Sequence, residues 1–219
     1  MPKLIDHDER RRQLAEATWR VIVRDGVAAA SVRTVAAEAG VSAGSLRHLF
    51  GTHSDLLVFA LQLVIDRAVA RVASMPPQPD AVREVEAVAA ELLPLDRERR
   101  AETEVYLALF TAAGTDDDLR STRDMARRQM QDACRWMVGR LAEGAALDAG
   151  ADRELEALRL YALLDGLAAH LTYDAADADP EWARRVLRRH IGSLATSGPQ
   201  PSAAPGPPTP PPTTGDRDR

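Results

Sequence analysis

The sequence predicts an all-α fold, and three observations carry that expectation. Aromatic residues make up only 4% of the 219 residues while alanine is abundant, a bias towards helix over sheet. Apolar residues recur every three to four positions along most of the chain, and no alternating strand pattern of useful length occurs. Glycines, prolines and Asp-rich stretches punctuate these runs at helical lengths.

The elements follow in order. "DERRRQLAEATWRVIVRDG" carries apolar residues at Leu14, Ala17, Trp19, Val21 and Ile22 and stops at Gly26. "SVRTVAAEAG" is a short helix with Ser31 as N-cap and Gly40 as its terminal glycine. "SAGSLRHLF" is shorter, with Ser42 as N-cap. "THSDLLVFALQLVIDRAVARVAS" is long and amphipathic, and Thr52 with Asp55 three residues on approaches a capping box. "MPPQP", residues 75–79, breaks the chain. Beyond it helices are expected near 80–93, 97–114, 117–144, 153–173 and 180–196, about nine in all. Residues 197–219 hold 8 prolines and no large apolar side chain, so a disordered Pro-rich tail is expected.

Charge and composition narrow the functional classes. The net charge is −5, but residues 1–53 hold 8 basic and 6 acidic side chains, so the N-terminal part is net positive and better suited to a polyanion. The single cysteine, Cys134, rules out an intramolecular disulfide and a multi-cysteine metal site. No apolar run approaches the ~20 residues a membrane-spanning helix needs, and the N-terminus lacks a signal-peptide apolar region, so a cytoplasmic protein with no membrane partner is expected. A glycine-rich phosphate loop, a nucleophile elbow and a metal-spaced His/Cys cluster are all missing from the sequence. No enzyme activity, cofactor or metal is therefore expected.

The stretch "VAAEAGVSAGSLRHLFGTHSDLL" carries the strongest functional signal. Two short helices joined by a glycine-containing turn make a helix-turn-helix. Val35 and Ala39 supply the apolar side of the first helix. Ala36 is small where the helices cross, Gly40 suits a positive φ, and Val41 plugs the turn. Leu46 and Leu49 face the core, which leaves Ala43, Ser45, Arg47 and His48 pointing outwards. The second helix of such a motif enters the DNA major groove, and arginine is well suited to guanine O6 and N7. Ser31, Ser42 and Thr52 each begin a helix, where hydroxyl and backbone N–H groups point together at an anion. Arg33, His48 and His53 add donors. Any one cap or arginine alone is more simply a structural cap or a solvated side chain; it is their agreement that points to DNA.

On these residues the chain resembles the TetR family of transcriptional regulators. The resemblance spans residues 10–57 and is carried by "SVRTVAAEAGVSAGSLRHLFGTHSDLL" and the long helix after it. Residues 80–196 resemble, less sharply, the BetI-like branch, through "AETEVYLALFTAAGTDDDLR" and "LYALLDGLAAHL". The resemblance implies a homodimer on a near-palindromic double-stranded DNA operator, released by a small-molecule inducer. It implies a helix-turn-helix domain over 8–53 and a ligand-binding and dimerisation domain over 54–196, with 54–74 as the connecting helix. It places Ser31, Arg33, Ser42 and His53 where relatives often touch phosphate, and Gly44 and Leu46 in the framework. Two positions depart from the common pattern: Arg47 stands where tyrosine is usual and His53 where lysine is usual. Arg47 is left as a reader of either base or phosphate. A histidine supplies less charge than lysine at neutral pH.

In the body, apolar stripes are core first, but Met and aromatic residues also suit an adaptable pocket. Tyr106, Phe110, Met130, Cys134, Met137 and Asp165 are the candidates for the ligand pocket. Asp165, interrupting an apolar stretch, is expected to find a partner, to meet a ligand or to lie exposed. The last two helices supply Leu164, Gly166, Leu167, Trp182, Val186 and Leu187 as candidates for the dimer interface. The alternative functions are a ligand-independent activator or architectural DNA-binding protein, and a helical small-molecule carrier or enzyme without DNA binding.

Overall fold

Side-chain caps set where the helices begin. In the computed structural model, which describes residues 7–115, 117–144, 146–148, 150–175 and 178–196, the α-helices are α1 (His7–Asp25), α2 (Val32–Glu38), α3 (Ala43–Leu49), α4 (His53–Ala73), α5 (Ala81–Glu91), α6 (Arg97–Ala112), α7 (Asp117–Glu143), α8 (Arg153–Tyr173) and α9 (Glu181–Thr196). Short 3-10 turns follow α1 and α6, at Val27–Ala29 and Ala113–Thr115. Ser31, Ser42, Thr52, Asp80, Asp96 and Asp152 each cap the next helix by accepting a backbone N–H. At Thr52 the bond is reciprocal: its hydroxyl accepts from Asp55 N at 3.0 Å and its own N–H reaches Asp55 Oδ2 at 2.9 Å. Ser31 and Thr34 form the same kind of box.

The α2–α3 turn depends on Gly40, whose φ is +66°. The reversal lets Val41 N–H bond Ala36 O at 2.9 Å and Gly40 N–H bond Ala37 O at 3.2 Å, a Schellman ending to α2. Val41 then packs against the core, as the sequence leads one to expect.

Two apolar cores result. The first joins α1, α2, α3 and the N-terminal half of α4 to Val105 and Leu109 of α6 and Leu119 of α7. The second joins α5, the C-terminal half of α7, α8 and α9. The first core therefore runs from the DNA-reading candidates into the body. Trp19 seals the seam between α1 and α4, its indole N–H donating to Ala60 O at 2.9 Å. At the far end of the body, the Arg100 guanidinium closes the C-terminus of α8 by donating to the carbonyls of Leu171, Thr172 and Asp174.

Among the described residues no helix is long and apolar enough to cross a membrane. The expected Pro-rich tail, 197–219, lies outside the described residues.

Candidate nucleic-acid interface and ligand cavity

The open face of the helix-turn-helix is built by α3 and the caps around it. Leu46 is fully buried and Leu49 packs against the same core, which turns Gly44, Ser45, Arg47 and His48 to solvent. Ala43 differs from the expectation that it points outwards. Its methyl is partly buried against the first core, because the opening turn of α3 leans into the head.

The arginines of the head are used in different ways, and Arg11 lies over the Phe50 and Phe59 rings, 5.3 and 4.6 Å from their centroids. Arg12, Arg20 and Arg24 are matched to Glu9, Glu38 and Asp25. Arg20 and Arg24 both hydrogen-bond Glu38 and hold its carboxyl below the usual carboxylate range, which ties α1 to α2. Arg33 and Arg47 are exposed and make no ion pair among the described residues. These two retain their charge for an external anion.

Ser31, Ser42 and Thr52 are exposed and spend an oxygen lone pair on capping, leaving the hydroxyl hydrogen to orient outwards or locally. His53 is exposed at the start of α4, but its Nε2 lies 2.6 Å from Ala30 O, just before the α2 cap. One ring nitrogen therefore pins α4 to the head, and Nδ1 remains for a second contact. Nothing in the sequence pattern signals that bond, which spans 23 positions.

Behind the head, α4, α5, α6, α7 and α8 enclose a cavity of about 560 Å³. Its walls are predominantly apolar. Of the residues the sequence proposes for a pocket, Tyr106, Phe110, Met130 and Asp165 line it. Tyr106 and Phe110 stack in a tilted pair, centroids 5.1 Å apart. Cys134 and Met137 do not line it: both are fully buried on the side of α7 that meets α8, inside the second core. Burial pushes the Cys134 thiol up to about 12, so it is an inert packing group.

The polar groups of the cavity were less legible. Asp165 stands at its rim, an exposed residue with no ion pair among the described residues; the partial burial of its carboxyl raises the pKa, opposed by a hydrogen bond from Tyr161. Glu102 also lines the cavity and is only 2% exposed. Burial raises its pKa too, against the pull of Arg71 and Arg67. Arg71 Nη1 sits 2.9 Å from Glu102 Oε2, and Arg99 pairs with Glu91 at 3.2 Å. Asp165 is the lining carboxylate left without a cation.

The candidates for the dimer face sort by burial. Leu164, Leu167 and Leu187 are buried within the chain's own second core, and Leu164 also forms cavity wall. They are internal packing residues, because α8 and α9 use those faces against α7 and α5. Gly166, Trp182 and Val186 are exposed. With them on the outer side of α8 stand Leu155, 52% exposed, Leu158 and Tyr173, 78% exposed, which sequence reasoning passed over. A Cβ at Gly166 would meet nothing within 4 Å, so the glycine leaves room on that face.

Comparison with known proteins places these features in a family. The family model of bacterial regulatory proteins of the tetR family matches residues 14–58. The model for the C-terminal domain of BetI-type transcriptional repressors matches residues 81–196. The chain is 38% identical over 195 residues to the HTH-type transcriptional regulator PksA of Bacillus subtilis (strain 168), covering 89% of this chain and 94% of PksA. A transcriptional regulator from Rhodococcus sp. Rha1 superposes with a TM-score of 0.74 at 30% identity, over 84% of this chain and 95% of that one. The multidrug binding protein EbrR, solved in complex with imidazole, superposes with a TM-score of 0.56 at 33% identity, over 93% and 96%.

The uncompensated carboxylate in the cavity has a measurable consequence. A folded-state pKa raised above the ordinary value means that ionised Asp165 opposes folding at neutral pH and that the opposition fades as pH falls through the raised pKa. Asp165→Asn is therefore expected to raise the Tm at pH 7, with the two proteins converging near pH 4. Equal melting curves at pH 7 would show that the carboxyl is fully solvated.

Proposed function

This chain belongs to the TetR family of bacterial transcriptional regulators, with a BetI-type C-terminal domain, and we propose that it is a homodimeric repressor released from a near-palindromic operator by a small-molecule inducer. Its relatives are regulators of transcription rather than enzymes. The observation that carries the finer reading is the pairing of a DNA-reading face with a cavity of about 560 Å³ along one helix: α4 begins at His53, pinned to the head, and farther along lines the cavity with Val64, Ile65, Ala68 and Arg71.

In this proposal residues 8–53 form the DNA-binding domain and 54–196 the ligand-binding and dimerisation domain, acting in the cytoplasm. Gly44 and Ser45 let α3 approach the major groove closely. Arg47 and His48 reach base edges or the bordering phosphates. Arg33, Ser31, Ser42, Thr52 and the free nitrogen of His53 hold the backbone. Two heads must meet half-sites about one helical turn apart, ~34–36 Å. A ligand that prefers a cavity shape with α4 displaced shifts the dimer away from that spacing, and only that preference gives it leverage.

The cavity chemistry favours a ligand with an apolar body and a basic nitrogen. Asp165 offers a negative charge without an ion pair among the described residues, and Tyr106 offers an aromatic face to a cation, while the Phe110 ring already carries the Arg123 guanidinium 5.8 Å from its centroid. The imidazole complex of EbrR supports that direction, since imidazole is a nitrogen base. The exposed stripe of Leu155, Leu158, Gly166 and Tyr173 on α8, with Trp182 and Val186 on α9, is the surface we assign to the partner. The size of the body speaks against the alternative of a bare architectural DNA-binding protein.

Two experiments test these assignments. Selection from a random DNA pool should return a two-fold symmetric site whose affinity falls steeply with salt. On it, Arg47→Ala is expected either to relax preference at one base pair, costing ~1–3 kcal/mol there, or to weaken all sequences alike with a shallower salt slope. Unchanged affinity on every sequence would remove Arg47 from the interface. Separately, Leu158→Glu is expected to leave the fold intact and convert a dimer to a monomer in light scattering. A dimer of unchanged mass would place the interface elsewhere.

A further inference from the structure

Glu102 belongs to the cavity wall, yet its ion pairs lead out of the body. Its side chain is 3% exposed, and Oε2 is held by Arg71 at 2.9 Å. Oε1 accepts no hydrogen bond; its nearest cation is Arg67 Nη1 at 3.7 Å. Arg67 is on α4, and its other guanidinium nitrogen hydrogen-bonds Glu16 of α1, in the head. The same guanidinium lies over the Trp19 ring, 4.7 Å from its centroid. One arginine thus touches α1 through Glu16 and Trp19 and α6 through Glu102 and Glu98, and Glu102, a residue of the cavity wall, keeps its buried Oε1 without a hydrogen bond.

A buried carboxylate with an unfilled oxygen is costly. Resting on the regulator reading above, we propose that Glu102 is the coupling residue of the protein: it transmits the state of the cavity to the head through Arg67, which divides its charge between Glu102 and Glu16. With Glu102 ionised and its Oε1 open, Arg67 is drawn to both carboxylates and clamps α1 and α6 across α4. A donor or cation in the cavity that takes Oε1 withdraws half of that attraction. Arg67 then settles on Glu16 alone, its ring contact with Trp19 changes, and α1 is no longer tied to α6. This is a contiguous set of contacts with two arrangements, the physical requirement for coupling between sites. Neighbouring charges fit the scheme: Glu98, on the same helix, lies 3.7 Å from Arg67 Nη1 but is 73% exposed, so solvent screens it.

The test uses the full-length protein without ligand. Glu102→Gln removes the charge at the cavity end and Glu16→Gln at the head end. Each is expected to weaken affinity for the selected operator by about tenfold, a usual size for coupling between sites, and the double variant is expected to be no weaker than either single one. In a Trp136→Phe/Trp182→Phe background, where Trp19 is the remaining tryptophan, Glu102→Gln is expected to shift Trp19 emission. Unchanged operator affinity in Glu102→Gln, or single losses that multiply in the double variant, would overturn the proposal. So would operator losses that simply track the fall in Tm. Should Glu102→Gln fail to fold, Arg67→Met with Glu16→Gln completes the same cycle. Should the wild-type protein select no DNA sequence at all, the regulator reading fails instead, and an unshifted Trp19 emission in Glu102→Gln independently sinks the clamp.

Discussion

The seat of Trp19 is where the head is locked onto the helix that leads into the body. Its indole is buried between α1 and α4, donates to the Ala60 carbonyl at 2.9 Å, and carries the Arg67 guanidinium on its face. Burying so large a ring is worth a few kcal/mol in area alone, and the hydrogen bond fixes its orientation. Because Val105 and Leu109 of α6 enter the same core, the head is packed onto the body rather than strung from it. A change in α6 or α4 therefore reaches α1 without crossing a linker.

Stability and function are divided unevenly along the chain. The head meets its polar needs locally, through caps and the Arg20–Glu38–Arg24 tie, and presents Arg33 and Arg47 without an ion pair among the described residues. The body does the opposite around its cavity, keeping Glu102 and Asp165 in surroundings that disfavour their charge. Folding alone would be better served by apolar residues there. The two carboxylates make physical sense as partners for something that enters. On the outside, the stripe on α8 leaves leucine and tyrosine surface open.

How much of this was legible in the sequence depends on how local each cause is. Ser31, Ser42, Thr52 and Gly40 act within four residues, and their roles and the helix bounds were readable from spacing. Facing was harder. Helix α8 is apolar on two sides, with Leu160, Leu164, Leu167 and Leu171 turned inwards and Leu155, Leu158 and Tyr173 outwards. Periodicity cannot say which stripe meets the core, so Leu164 and Leu167 were placed on the wrong surface. Cys134 and Met137 went astray for the same reason on α7, where one side meets the cavity and the next meets α8. Contacts set by tertiary distance left no trace at all: His53 to Ala30 spans 23 positions and Arg67 to Glu16 spans 51.

Helices α1 and α6 meet in one apolar core and are expected to unfold as one cooperative unit. Native-state hydrogen exchange across a denaturant series measures it directly. The amides of α1 from Leu14 to Ile22 and those of α6 from Val105 to Leu109 are expected to exchange through the same opening, with equal free energies. A head that opens separately, at lower free energy, while α6 stays protected would contradict it.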